Sequence, residues 1–122
     1  MFDHIGFPVR NLAKSRAFYV AALAPLGIGL VVDRAGDIAF GRAGRARFWL
    51  GSKGGAASGV HLAFTARNRA EVVAFYQAAI AAGGTDNGAP GLRPHYDPHY
   101  YGAFVLGPDG HNVEAVCRNP ED

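Results

Sequence analysis

The feature that most constrains this chain is a pattern written twice. Residues 4–27 read HIGFPVRNLAKSRAFYVAALAPLG, and residues 61–84 read HLAFTARNRAEVVAFYQAAIAAGG. Offset by 57 positions without a gap, 12 of the 24 pairs are identical. They include His4/His61, the step Arg10-Asn11/Arg67-Asn68, the step Phe18-Tyr19/Phe75-Tyr76 and Gly27/Gly84. Alanine matches arise easily from composition, but a histidine and two distinctive dipeptides in one register do not. The chain is therefore read as a duplicated module. At 122 residues it has the size of one domain. A unit of about 55 residues would be marginal alone, so the copies must share a core or pack edge to edge.

Each copy opens with a strand and continues into a helix. Residues 2–9 alternate, with Ile5, Phe7 and Val9 on one face and His4, Gly6 and Pro8 on the other. Asn11 is an N-cap candidate for a helix over 12–24, whose buried stripe is Leu12, Tyr19, Leu23 and Leu26 with Phe18 and Ala22 beside it. Pro25 and Gly27 end that helix, and 28–33, 37–41 and 46–50 read as three short strands. The glycine- and serine-rich segment 51–59 reads as a linker between module one (1–50) and module two (60–118) within a single domain. In the second copy, Val60, Leu62 and Phe64 face opposite His61 and Ala63, and Asn68 with Glu71 forms a capping-box spacing before a helix that runs to about Ala82. Residues 85–100, with three prolines, are a structured loop or a short irregular strand. Strands over 101–106 and 111–118 flank the turn Gly107-Pro108-Asp109-Gly110.

The repeat restricts where chemistry can sit. His4 and His61 occupy equivalent outward positions and converge if the copies pair about a pseudo-twofold axis. In the last strand Glu114 shares a face with Asn112 and Val116, while Val113, Ala115 and Cys117 point to the core. A lone glutamate in such apolar company is costly to bury, and a metal ion or a cation is the usual relief. Two histidines and one glutamate leave coordination positions open, as a catalytic metal site requires. The single cysteine forms no internal disulfide, and no apolar run approaches the roughly 20 residues of a membrane helix. With 49% hydrophobic and 18% charged residues the reading is a globular cytoplasmic protein. A formal charge of +2 argues against nucleic acid or membrane as partner. Arg42, Arg45, Arg47 and Lys53 cluster with no acid between them, as a solvated hairpin edge or an anion-binding rim.

The opening D-H-I, the helix bearing F-Y, the strand G-V-H-L-A-F and the closing G-P-D-G-H-N-V-E-A-V together resemble the vicinal oxygen chelate superfamily. That group includes glyoxalase I, extradiol ring-cleaving dioxygenases, fosfomycin-resistance thiol transferases and bleomycin-binding proteins. The resemblance implies an α+β fold of two βαβββ modules side by side, forming a curved, mostly antiparallel open barrel with helices outside. It implies a divalent ion held by His4, His61 and Glu114, with zinc, nickel, manganese and iron all compatible. It further implies a small-molecule substrate and a homodimer, with the site built between chains in some members.

One departure stands out. Glyoxalase I proper has a second glutamate in the first module. Aligning Ala39-Phe40 with Ala103-Phe104, and allowing a longer turn in the second copy, places Phe48 opposite Glu114, between Arg47 and Trp49. With Glu114 alone, one residue has both to hold the ion and to move a proton. The loop supplies other acid–base candidates: His95, Tyr96, His99, Tyr100 and Tyr101, with His99 and Tyr101 favoured as proton carriers. Pro98 excludes a helical metal pair from His95 and His99, which leaves a lid, a stiff surface loop or an irregular site. Trp49 and Phe48 are pocket wall or core, and Arg93 is a partner for a substrate carboxylate or an exposed cation. Three functions stand: a glyoxalase-type lyase or isomerase, an iron-dependent dioxygenase, and a non-enzymatic binding protein.

Overall fold

The computed structural model describes residues 1–120. Module one consists of β1 (Ile5–Pro8), α1 (Leu12–Leu23), a 3-10 turn (Ala24–Leu26), β2 (Gly29–Asp33), β3 (Asp37–Gly41) and β4 (Phe48–Gly51). Module two follows with β5 (His61–Thr65), α2 (Arg69–Ala81), β6 (Thr85–Asp86), β7 (Gly91–Leu92), β8 (Tyr101–Leu106) and β9 (Asn112–Cys117). Each module builds its own mixed sheet. The strand orders are β1-β4-β3-β2 and β5-β9-β8-β6, with β7 also on β8. In both, the first strand runs parallel to the last and every other pair is antiparallel. The two sheets do not close into a barrel.

The helices form because each has a working start and stop. Asn11 accepts from the Lys14 amide at 3.0 Å, and Asn68 from the Glu71 amide at 2.8 Å. Gly27 leaves the 3-10 turn at φ 74°, a left-handed conformation that suits glycine. Asn68→Ala should cost about 1 kcal/mol in a urea melt, the usual worth of an N-cap. Glu71 adds to this start by accepting from both the backbone and the guanidinium of Arg67. Those bonds hold its carboxyl below the usual range. The resulting stability is full above the ordinary glutamate value of about 4.3 and is lost as pH falls through the lowered folded value.

Of the two arrangements that size allows, the chain takes the shared core. Phe18, Tyr19, Leu23 and Leu26 from module one and Leu62, Val72, Phe75 and Val113 from module two belong to a single buried cluster. Phe48 joins the copies directly, its ring 5.5 Å from that of Phe64. At Gly84 an added Cβ would stand 2.3 Å from a Val105 methyl, so only glycine admits this approach of helix end to sheet. Cys117 is fully buried, on the face that alternation assigns to the core.

The strand ladders correct one register. Gly6 pairs with Trp49 and Ala63 with Glu114, and Gly6 and Ala63 are repeat equivalents. Ala39 pairs with Trp49 just as Phe104 pairs with Glu114. Trp49, not Phe48, is thus the counterpart of Glu114, and no longer turn is needed. The Ala-Phe steps at 39–40 and 103–104 are out of phase by one residue, a coincidence of common residue types. The counterpart is again not a carboxylate.

Candidate active site

β9 lies between β5 and β8, so a side chain at its centre is flanked on both sides. Glu114 sits there, opposite Ala63 on β5 and Phe104 on β8. Its side chain is 1% exposed, whereas that of His61 is 54% exposed. Nε2 of His61 stands 2.9 Å from Oε1 of Glu114, and the Tyr100 hydroxyl donates to Oε2. The buried carboxylate therefore has both oxygens partnered by side chains of its own module. Burial and, next, the bond to Glu114 push the Tyr100 hydroxyl up to about 12, so it stays a donor at neutral pH. The fit is close. A Cβ at Gly102 would lie 3.1 Å from Cε1 of Tyr100 and 3.4 Å from Oε2 of Glu114.

A cleft of about 550 Å3 opens over this group, lined by His61, His95, Tyr96, Tyr100, Phe104, Glu114 and Arg118. Its aromatic wall is internally braced. Tyr96 meets Tyr100 edge-on at 5.0 Å, and the ring of His95 lies 4.2 Å from that of Tyr96. The Arg118 guanidinium covers Tyr100 at 4.7 Å and reaches Asp97 at 3.3 Å. An accessible imidazole on a buried carboxylate, under aromatic walls and beside a cation, suits proton transfer on a small polar, planar molecule.

Comparison with known proteins identifies this architecture. The Glyoxalase/Bleomycin resistance protein/Dioxygenase superfamily model matches residues 1–115. The chain belongs to that superfamily. A glyoxalase/bleomycin resistance protein from Albidiferax ferrireducens T118 superposes with a TM-score of 0.85 at 31% identity, covering 97% of this chain and 99% of that one. A glyoxalase/bleomycin resistance protein/dioxygenase family enzyme from Burkholderia phytofirmans PsJN gives 0.74 at 17% identity, covering 96% and 98%. A glyoxalase-related enzyme from Fulvimarina pelagi gives 0.71 at 23% identity, covering 95% and 86%, and like the Burkholderia protein it speaks for the fold alone. No curated protein matches the chain significantly.

Within this superfamily fold, the candidates from sequence separate. His61, Glu114 and His95 share the cleft. His4 immediately precedes β1 of the other sheet, 60% exposed, with Nδ1 2.7 Å from Asp3. Tyr101 pairs with Cys117 and lies under the Arg69 guanidinium at 5.1 Å, away from the cleft lining. Its neighbour Tyr100 is the tyrosine that touches Glu114. His99 is exposed, donates its backbone amide to the Asp97 carboxylate, and does not line the cleft. Phe48 is core, and Trp49 is half-buried on module one with the Arg34 guanidinium 5.8 Å over its ring. Arg93 donates to the carbonyls of Gly91 and Ala89, covers Phe104 at 5.5 Å, and lines an adjoining cavity. Phe104, Gly102 and Arg118 escaped the sequence reading. Alternation from Glu114's partner Phe104 back through Gly102 to Tyr100 is the signal that finds the first two and singles out Tyr100.

As a metal site, one chain supplies a part. His61 Nε2 and Glu114 Oε1 converge, but among the described residues no three His, Cys, Asp or Glu side chains gather as an ion would require. These two side chains would fill two positions of a divalent-ion site, and a complete site would need a further ligand.

Proposed function

We propose that the His61–Glu114 pair is the centre of a glyoxalase-type lyase or isomerase acting on a small substrate with neighbouring oxygens. A divalent ion would be held by His61 and Glu114 of one chain and His4 of a second copy. The observation that carries this reading is the buried Glu114 carboxylate meeting an accessible imidazole at the floor of the cleft. His4 precedes an edge strand, and Phe2 beside it is 77% exposed, which gives a second copy an apolar side chain to cover. When bound, the ion supplies Lewis-acid polarisation of the substrate oxygens.

The chain's own groups do the remainder. Tyr100 fixes one carboxylate oxygen, so Glu114 presents the other toward His61. Tyr96 and Phe104 hold the flat faces of a substrate, and Arg118 balances developing negative charge at the rim. His95, an imidazole in the cleft wall, is placed to hold and return a proton.

Protein exposed to zinc, nickel, manganese or ferrous ions should take up about one ion per chain. His61→Ala and His4→Ala should each lose it, and letting equal amounts of the two variants exchange subunits should restore about a quarter of the sites, because heterodimers make up half of the mixture and one of their two shared sites regains both histidines. Turnover of a hemithioacetal under nitrogen would support the lyase. The complete partnering of Glu114 within its chain favours a second reading, a metal-free binding protein. Wild-type protein that takes up no ion would establish that reading against the first.

A further inference from the structure

A second cavity, of about 320 Å3, opens between the two modules. Its apolar walls are Ile5, Ile28, Phe40, Phe48 and Phe64, with Arg42 and Arg47 at its rim. It shares no lining residue with the His61 cleft. From this we infer a separate binding site for a small amphipathic carboxylate, a function beyond the reading above.

The rim is a built feature. Strand β3 turns back at Gly41, where an added Cβ would stand 1.5 Å from the Arg45 carbonyl oxygen. Ala43 and Gly44 take left-handed conformations, at φ 52° and 72°. The Arg47 amide then donates to the Phe40 carbonyl at 3.0 Å, which brings Arg47 back beside Arg42. Arg42 donates to the carbonyls of Leu26 and Thr65, so its guanidinium spans the modules at the cavity mouth. Arg47 donates to the carbonyl of Asp3.

These partners are neutral carbonyls, so neither guanidinium is shown hydrogen-bonded to a carboxylate. Glu71 lies within electrostatic reach of Arg42, and Asp3 within reach of Arg47. Both carboxylates are otherwise engaged, Glu71 with the Arg67 guanidinium at 2.7 Å and Asp3 with His4 at 2.7 Å. An apolar chamber under two guanidiniums selects a ring or short chain ending in one carboxylate. Size agrees, since a cavity of about 150 Å3 accepts benzene, and the larger volume adds room for a carboxymethyl arm.

Phenylacetate is the probe, with neutral phenylacetamide as its control. Titrated into the full chain and followed by amide chemical shifts, phenylacetate should perturb Gly41, Arg47 and Phe64. The amide should bind about tenfold more weakly, as should the acid to Arg47→Gln and Arg42→Gln, since each change removes a charge-assisted contact. Arg47→Gln alters an exposed side chain and keeps the test valid if Arg42→Gln loosens the modules. His61→Ala should bind phenylacetate like wild type, so failure of the first cleft and failure of this one are distinguishable. Equal binding of acid and amide, shifts confined to His61 and Tyr100, or no binding at millimolar phenylacetate would each overturn the site.

Discussion

Glu114→Gln should give a folded protein whose divalent-ion affinity has fallen on the order of 100-fold or more, with turnover lost alongside it. The substitution keeps the shape of the side chain and a carbonyl oxygen for the Tyr100 hydroxyl. It removes the negative charge and turns one acceptor into a donor facing His61. Because Glu114 is 1% exposed, water cannot replace what is lost. A stability cost of about 1–3 kcal/mol follows for the disturbed buried bonds. Ion content by elemental analysis reads the first effect and a urea midpoint the second. Retention of wild-type ion content in the variant would remove Glu114 from the proposed centre.

Phe48→Ala should lower unfolding free energy by about 3–5 kcal/mol, the usual cost of removing a buried aromatic ring. The ring touches aromatic partners from both modules: Phe7 at 5.8 Å, Tyr19 at 5.1 Å, Phe40 at 5.8 Å and Phe64 at 5.5 Å. It also borders the inter-module cavity, so the space left behind merges with existing space instead of collapsing. Domains of this kind are stable by only about 5–15 kcal/mol, which makes this a large fraction of the total. Chemical denaturation with matched slopes checks it. A loss below about 1 kcal/mol would mean that Phe48 is not the joint between the copies.

Legibility differed between elements for reasons that residues make plain. Strand alternation depends only on the period of two along β9: Val113, Ala115 and Cys117 join the core cluster while Glu114 lines the cleft, where it is buried, not open. The helix starts were legible because Asn11 and Asn68 act within three residues of themselves. The counterpart of Glu114 was misplaced by one because two Ala-Phe steps offered a false alignment, and only hydrogen-bonded ladders set strand register. In the loop, Tyr100 and Tyr101 are adjacent in sequence yet face opposite ways once β8 pairs with β9. His99 stands apart because Asp97 caps its amide and turns the chain there.

The sequence by itself determined the duplication, the need for the two copies to pack together, and the strand faces on which His61 and Glu114 stand. These follow from local periodicity and from the inability of a half-length module to bury its own surface. Tertiary structure decided what depends on how separate elements pack. It set His4 apart from His61, chose Tyr100 as Glu114's second partner, and left a cation-rimmed cavity between the modules. Repeat equivalence fixes a residue's place within its module, but the distance between modules is set by the close packing of side chains from both, and no pattern within one copy specifies that.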